Sequence, residues 1–265
     1  MWKPLVVDYQ HVSNEIDLYG LSDRTRVSLL PPAIIIRNFY DKKNCQTIVD
    51  RTKSYNKNNF QNDKLLHLGP FLMEHVTDKR RYFEAAKDAQ KTIGKIFEEI
   101  ENPIEKIYKA ISMLFPGFSV SVATESQNDY SQVIIRMHEK EKSIPIHKDN
   151  VRHEGKEYAA VRGIDYQLSC VLHLQESEAG GELIIYDKQW KKEDEKFRNI
   201  DFGYSSELVK NNEFCKLSGF SAGDLVVINP NYYHEVTKIT GDTSRITLGM
   251  FLGFYSKESR IVAWA

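Results

Sequence analysis

Hydrophobic and polar positions change rhythm once along this chain, near Pro116 and Gly117. Before that point the spacing is helical. Ile93, Ile96, Phe97 and Ile100 follow the i, i+3, i+4, i+7 rule, and Ile104, Ile107, Tyr108, Ile111 and Leu114 form a second stripe. Asn102 and Pro103 separate the two, with Asn102 placed to cap and Pro103 at the first helical position, and Glu105 completing a box-like cap. Asp41 is placed to cap a shorter helix over residues 42–55. Ala33 to Arg37 is a β-branched run that fits a buried strand. Residues 1–30 and 56–77 carry no diagnostic pattern.

After Gly117 the pattern is strand-like. Residues 132–138, 167–174, 181–186, 224–228 and 244–255 alternate or run apolar for strand lengths, with Gly and Asp turns between them. Helices first and many antiparallel-type strands afterwards predict an α+β protein, a β-sandwich or open barrel backed by helices. The chain reads as a single domain over 1–265, with 1–117 as helix-rich support and 118–265 as the strand-built core. Residues 188–198 alternate in charge and predict an exposed excursion, with a lid closed by Trp190 and Phe197 as the lesser reading.

Composition narrows the classes. The 265 residues are 41% apolar and 28% charged, ordinary for a globular protein. The 36 basic and 37 acidic residues nearly cancel, with a pI near 6.7, so nothing suggests nucleic acid or an anionic membrane as partner. No apolar run reaches the ~18 residues of a membrane span, and the first residues lack a signal-peptide core. Cys45, Cys170 and Cys215 are scattered without CxxC spacing, which predicts buried free thiols and a reducing, cytoplasmic location.

The candidate chemistry starts at His147 and Asp149. Two residues apart beside a strand-like run, they point to the same side of an extended backbone. His234 follows Asp149 by 85 residues, after another strand-like run. Two histidines and one carboxylate on one face of a metal suit non-haem Fe(II) and leave positions open. Five further histidines, His11, His67, His75, His153 and His173, have no partner pattern and receive no role. Eleven residues past His234, Arg245 and Thr247 share a strand face. An arginine aimed into an apolar cavity is costly unless it meets an anion, and its planar fork matches a carboxylate.

The order H-x-D, H, R-x-[ST] resembles the Fe(II)/2-oxoglutarate-dependent oxygenases over roughly residues 132–254. The Gly180-Gly181-Glu182 strand and the run from Phe220 to Val236 look like the prolyl-4-hydroxylase-like branch. The resemblance implies a double-stranded β-helix, or jelly roll, with the metal at one open end. It implies Fe(II) on His147, Asp149 and His234, and the distal carboxylate of 2-oxoglutarate on Arg245 with help from Thr247. Arginine stands here where that branch often has lysine. Arg136 and His138, on one face of the preceding strand, are candidates to contact 2-oxoglutarate or the substrate. The implied reaction consumes 2-oxoglutarate and dioxygen, gives succinate and carbon dioxide, and oxidises an unactivated C–H bond. Related halogenases lack the metal carboxylate, whose place halide takes; the presence of Asp149 therefore predicts hydroxylation.

Substrate candidates follow a looser resemblance to small enzymes that act on free amino acids. Arg80, Arg81, Arg136 and Arg152 are candidates for a substrate carboxylate, Glu154 and Asp165 for an ammonium, Trp264 for packing over a side chain, and Asn150 lies in the same run. A protein or peptide side chain is the alternative substrate. The competing class is a non-catalytic cupin-like binding protein, which has no use for the Arg245–Thr247 carboxylate clamp.

Overall fold

The computed structural model describes residues 2–12, 30–59, 66–200 and 203–265. Strands β1 (Leu5–Asp8) and β2 (Ala33–Arg37) precede helix α1 (Lys42–Asn59) and the short β3 (Leu66–Leu68). Helices α2 (Lys79–Ile96) and α3 (Pro103–Leu114) complete the front half. The strand-rich half begins with β4 (Ser119–Val122), a small hairpin of β5 (Thr124–Glu125) and β6 (Asn128–Asp129), then β7 (Ile134–His138) and β8 (Ile144–His147). One-turn helices α4 (Val151–Glu154) and α5 (Ala159–Arg162) lead to the long β9 (Tyr166–Gln175) and β10 (Leu183–Gln189). Next come β11 (Arg198–Ile200), β12 (Gly203–Tyr204), β13 (Phe214–Leu217) and β14 (Leu225–Ile228). The last three are β15 (Tyr232–Val236), β16 (Arg245–Tyr255) and β17 (Arg260–Trp264).

Two sheets carry the architecture. Among the described residues the larger runs β1-β2-β14-β9-β16 and then divides, because β16 is long enough to hold two partners on its far edge. Its first half pairs with β7, which carries β3; its second half pairs with β17, which carries β4. The smaller sheet runs β13-β10-β15-β8. From β7 onward the chain thus crosses between sheets, giving the antiparallel orders β7-β16-β9-β14 and β8-β15-β10-β13.

Alternation along each strand sorts the residues between two cores. Ile34 and Ile36 of β2, Leu225 and Val227 of β14, Cys170 and Leu172 of β9, and Ile246 and Leu248 of β16 face the helices. There they meet Cys45, Ile48 and Val49 of α1, Ile93 and Ile96 of α2, and Ile107 and Ile111 of α3. The intervening residues, Ala33, Ile35, Val226 and Ile228, face the small sheet and meet Leu183, Ile185, Leu217 and Val236. Strands covered on both faces read as continuous apolar runs, as these do.

The helices start where the sequence predicts. Asp78 caps α2 by accepting from the Arg81 N–H, and Asn102 caps α3 by accepting from Ile104 N–H at 2.9 Å. Asp41 does the same for Asn44 at 2.9 Å. Helix α2 ends about a turn before its apolar stripe does; Glu99 takes the left-handed φ of 61°, which halts the helix and leaves Ile100 only partly buried. The Gly180–Gly181 pair has a backbone reason: a Cβ on Gly180 would sit 1.9 Å from the Lys238 carbonyl oxygen, and both residues have positive φ. All three cysteines are free and buried, and among the described residues no helix is long and apolar enough to cross a membrane.

Candidate metal centre and cavity

Strand register brings the two histidines together. His147 ends β8 directly opposite His234 on β15. Asp149 follows at once, pinned by its N–H to the Pro230 carbonyl at 2.8 Å. Its Oδ2 lies 3.9 Å from His147 Nε2 and 3.5 Å from His234 Nε2, and one ligand atom from each residue falls within 4.8 Å of the others. Both rings are fixed from behind. His147 Nδ1 donates to the Pro145 carbonyl at 2.8 Å and His234 Nδ1 to the Tyr232 carbonyl at 2.9 Å. A carbonyl only accepts, so the proton sits on Nδ1 and the Nε2 lone pair faces Asp149. Burial, then the neighbouring His234, draw His147 down to about 4, keeping it neutral. Burial alone would raise Asp149, but its neighbours His147, His234 and Arg136 outweigh it and hold the carboxyl at about 2. A neutral imidazole and an ionised carboxylate are the forms a metal takes, and His147 and Asp149 present them.

Behind the triad lies a cavity of about 260 Å³, lined by the residues of β7, β9 and β16 that alternate away from the helices. Arg245 pairs with His138 across β16 and β7, and Thr247 with Arg136. All four line the cavity, as their shared strand faces predict. Arg245 is 4% exposed, and its Nε has no hydrogen-bond partner; neither ring nitrogen of His138 has one. Burial, then Arg245, push His138 down to about 3, so the ring is neutral. The acid near Arg245 is Glu176, 4.0 Å from its Nε, itself held by His173 Nδ1 at 2.5 Å. The partnerless Arg245 Nε–H and the single N–H of the neutral His138 ring are buried donors that suit an anion.

The mouth is framed by segments outside the two sheets. Phe71, Met73 and Glu74 line one side, and Lys148, Glu154, Arg198 and Tyr204 the other. Lys148, buried between two triad residues, reaches Glu154 at 2.5 Å, and Arg198 approaches the same carboxylate at 3.8 Å. The segment 188–198 is largely the exposed excursion its charges predict, but it is anchored at a few positions. Asp194 is buried, Trp190 packs on His153 at 4.6 Å, and Phe197 joins Ile146, Tyr204 and Tyr233. Charge alternation marked its outer face, while its aromatic positions anchor it to the small sheet.

Other predicted substrate residues lie elsewhere. Trp264 is 1% exposed and packs behind Phe251 at 5.8 Å, a core residue outside the cavity. Asn150 caps α4 by accepting from Arg152 N–H and donates to Asn231 at 2.7 Å. Together with Arg152 and Asp165 it lines a separate polar cleft. Arg80 and Arg81 are exposed on α2, where Arg80 pairs with Glu84. Glu154 does line the cavity. Sequence reasoning missed His173 and Glu176, whose signal was a polar residue inside the apolar run 167–174 with an acid three residues on. It also missed Phe71, Met73 and Glu74, which no periodicity marks.

No curated protein matches the sequence. Residues 18–265 match the family model described as carrier-protein-independent halogenase WelO5. Among solved structures, an N-substituted L-amino acid dioxygenase from Burkholderia ambifaria AMMD aligns over 96% of this chain and 91% of its own, with TM-score 0.64 and 14% identity. The same enzyme in complex with alpha-KG gives TM-score 0.61 and 13% identity over the same shares. The alpha-ketoglutarate-dependent carbocyclase SnoK of nogalamycin biosynthesis aligns over 90% of this chain and 82% of its own, with TM-score 0.53 and 10% identity.

Proposed function

This chain belongs to the WelO5 family of carrier-protein-independent halogenases, and on that footing we propose that it hydroxylates, rather than halogenates, an unactivated C–H bond of a small amino-acid-like molecule. The enzyme class is a 2-oxoglutarate-dependent Fe(II) oxygenase. The observation that carries the hydroxylation reading is Asp149. A carboxylate within 3.5 Å of His234 Nε2 fills the third protein position, which a halide would need.

The residues fit the cofactor and the co-substrate. His147, Asp149 and His234 would hold Fe(II), since their donor atoms converge and a backbone carbonyl orients each imidazole from behind. Arg245, His138 and Thr247 would hold the distal carboxylate of 2-oxoglutarate, because the partnerless atoms of Arg245 and His138 supply donors for it. Iron and 2-oxoglutarate together supply dioxygen activation and hydrogen removal from carbon, with release of succinate and carbon dioxide. The chain's part is orientation and dryness. The apolar walls Ile134, Val171 and Phe251 limit water around the reacting carbon.

A jelly-roll reading of the two sheets is supported by their orders, β7-β16-β9-β14 and β8-β15-β10-β13, between which the chain crosses at every step except β10 to β13, and by His147 at the end of β8 opposite His234 on β15. The prolyl-4-hydroxylase-like branch rests on the strand motifs at Gly180–Glu182 and before His234 alone. The amino-acid-like substrate is supported by the fold neighbour that acts on N-substituted L-amino acids and by the charged mouth.

The test is anaerobic addition of Fe(II) and 2-oxoglutarate, followed by air. The expected result is a weak visible charge-transfer band, then succinate, and in chloride buffer a product that gains one oxygen. Asp149→Ala is expected to abolish oxygen insertion. A chlorinated product from the unmodified enzyme would sink the hydroxylase reading; absence of both band and succinate would leave a binding protein.

A further inference from the structure

Every cationic side chain at the cavity has a counter-ion except one. Lys148 and Arg198 share Glu154, and Arg245 has Glu176 and the place for a co-substrate carboxylate. Arg136 has no hydrogen bond and no ion pair among the described residues, and its guanidinium carbon lies over the Phe71 ring at 5.3 Å. Burial draws its guanidinium down from the ordinary value, and the acids that counter this are Asp149 and Glu74, neither within ion-pair reach. A half-buried arginine left in that condition is waiting for an anion.

Its position separates it from the co-substrate clamp. Along β7, Arg136 stands one position from His138 on the same face, opposite Thr247 instead of Arg245 and over the Phe71 ring. The next β16 residue on that face is Gly249, where a Cβ would sit 3.1 Å from Arg136 Nη1. The missing side chain there gives the guanidinium room to lie across the strand. From that place it faces Phe71, part of the mouth segment outside the sheets.

We infer that Arg136 is the docking point for a carboxylate on the organic substrate, which makes that substrate a small molecule with one carboxylate beside an apolar body. The inference rests on the oxygenase reading above and deepens it. A bidentate carboxylate on Arg136 leaves the apolar remainder against Phe71, Met73 and Phe251, between the mouth and the triad. The co-substrate does not need this arginine, because its distal carboxylate has Arg245 and His138 and its other end would have the metal.

The experiment uses the intact protein with Fe(II) and four probes: L-leucine, L-phenylalanine and their N-acetyl forms, each beside its carboxamide. Succinate release above the substrate-free rate is the readout. At least one carboxylate is expected to stimulate, with its carboxamide requiring on the order of 30-fold more. Arg136→Gln is expected to raise the carboxylate requirement by a similar, roughly 30-fold, amount and to erase the preference over the amide, with Arg136→Lys between the two. The 2-oxoglutarate titration of the visible band should shift by less than about threefold in Arg136→Gln. A parallel loss of 2-oxoglutarate binding, equal response to acids and amides, or a band with no stimulating carboxylate would each overturn the inference. The acid–amide comparison on unmodified protein stands even if the variant fails to fold. A wild-type protein that forms no band would overturn the oxygenase reading instead.

Discussion

Arg245 and His138 occupy opposite positions on paired strands, and together they expose three nitrogens with no partner in the folded chain. Removing Arg245 should therefore weaken one ligand and spare the other. Arg245→Ala is expected to raise the 2-oxoglutarate requirement on the order of 100-fold, the worth of a buried charge-assisted pair, with Fe(II) affinity unchanged in a metal titration. Equal loss of both would make Arg245 a structural residue. His138 adds a pH dependence. Its folded pKa near 3 lies below the ordinary 6.5, so the unfolded chain takes up the proton first. Above 6.5 the ring is neutral in both states and costs nothing. As pH falls from 6.5 toward 3 the metal-free protein loses stability, about 2 kcal/mol at pH 5. Melting curves at pH 7 and 5 measure this, and His138→Gln should reduce the difference; His147, near 4, acts in the same direction and accounts for part of what remains. His147, Asp149, His234 and Arg245 were legible in the sequence because spacing on a strand fixes which side chains share a face. Glu176 and His173 were not, since their meaning arises only when β9 lies beside β16 and puts an acid against Arg245.

At the scale of elements, local signals were reliable where they close on themselves. Asn102 and Pro103 start α3 as predicted, and Asn102→Ala is expected to cost about 1 kcal/mol in denaturant unfolding with no change in 2-oxoglutarate binding. A change in ligand affinity would mean that α3 is coupled to the cavity it backs. The predicted strand runs match to within three residues at their ends, because apolar and β-branched stretches bounded by turn residues leave few alternatives, whereas β13, β15 and β17 were not among them. Signals failed where an element's role is set by a distant one. The charges of residues 188–198 marked its exposed face correctly but did not show that Trp190 and Phe197 are held by His153 and by the small sheet. Trp264, an aromatic near the cavity in sequence logic, is placed by β17 behind Phe251, and so supports the wall instead of touching what the cavity holds.

The molecule as a whole places the larger apolar core on the helix side of the large sheet, and on the other a smaller core beside a cavity that mixes apolar walls with charged residues. Stability and binding are thereby kept on opposite faces of the same strands. Ligands that occupy the cavity bind only the folded state, so Fe(II) with 2-oxoglutarate should raise the melting temperature, by about 2.7 kcal/mol of stabilisation at a hundredfold excess over Kd. Asp149→Ala should lose most of that shift, measured anaerobically by thermal scanning. An unchanged melting temperature in the wild type would mean that the triad does not bind the metal. The α+β class, with helices before strands, followed from where the periodicity changes; the order of strands within each sheet did not, because it depends on which edges meet.

The register that sets His147 against His234 also fixes when the site can come into being. One partner strand is complete by residue 147, yet its neighbour arrives some 85 residues later, and β16 with Arg245 later still. A ribosome would have delivered nearly the entire polypeptide before the three ligands could converge. On the proposed ligand set, emerging chain would offer no competent iron site, and an oxidising centre would not assemble on a half-made protein. Loading of iron becomes a post-synthetic event, and its rate would report on closure of the second sheet.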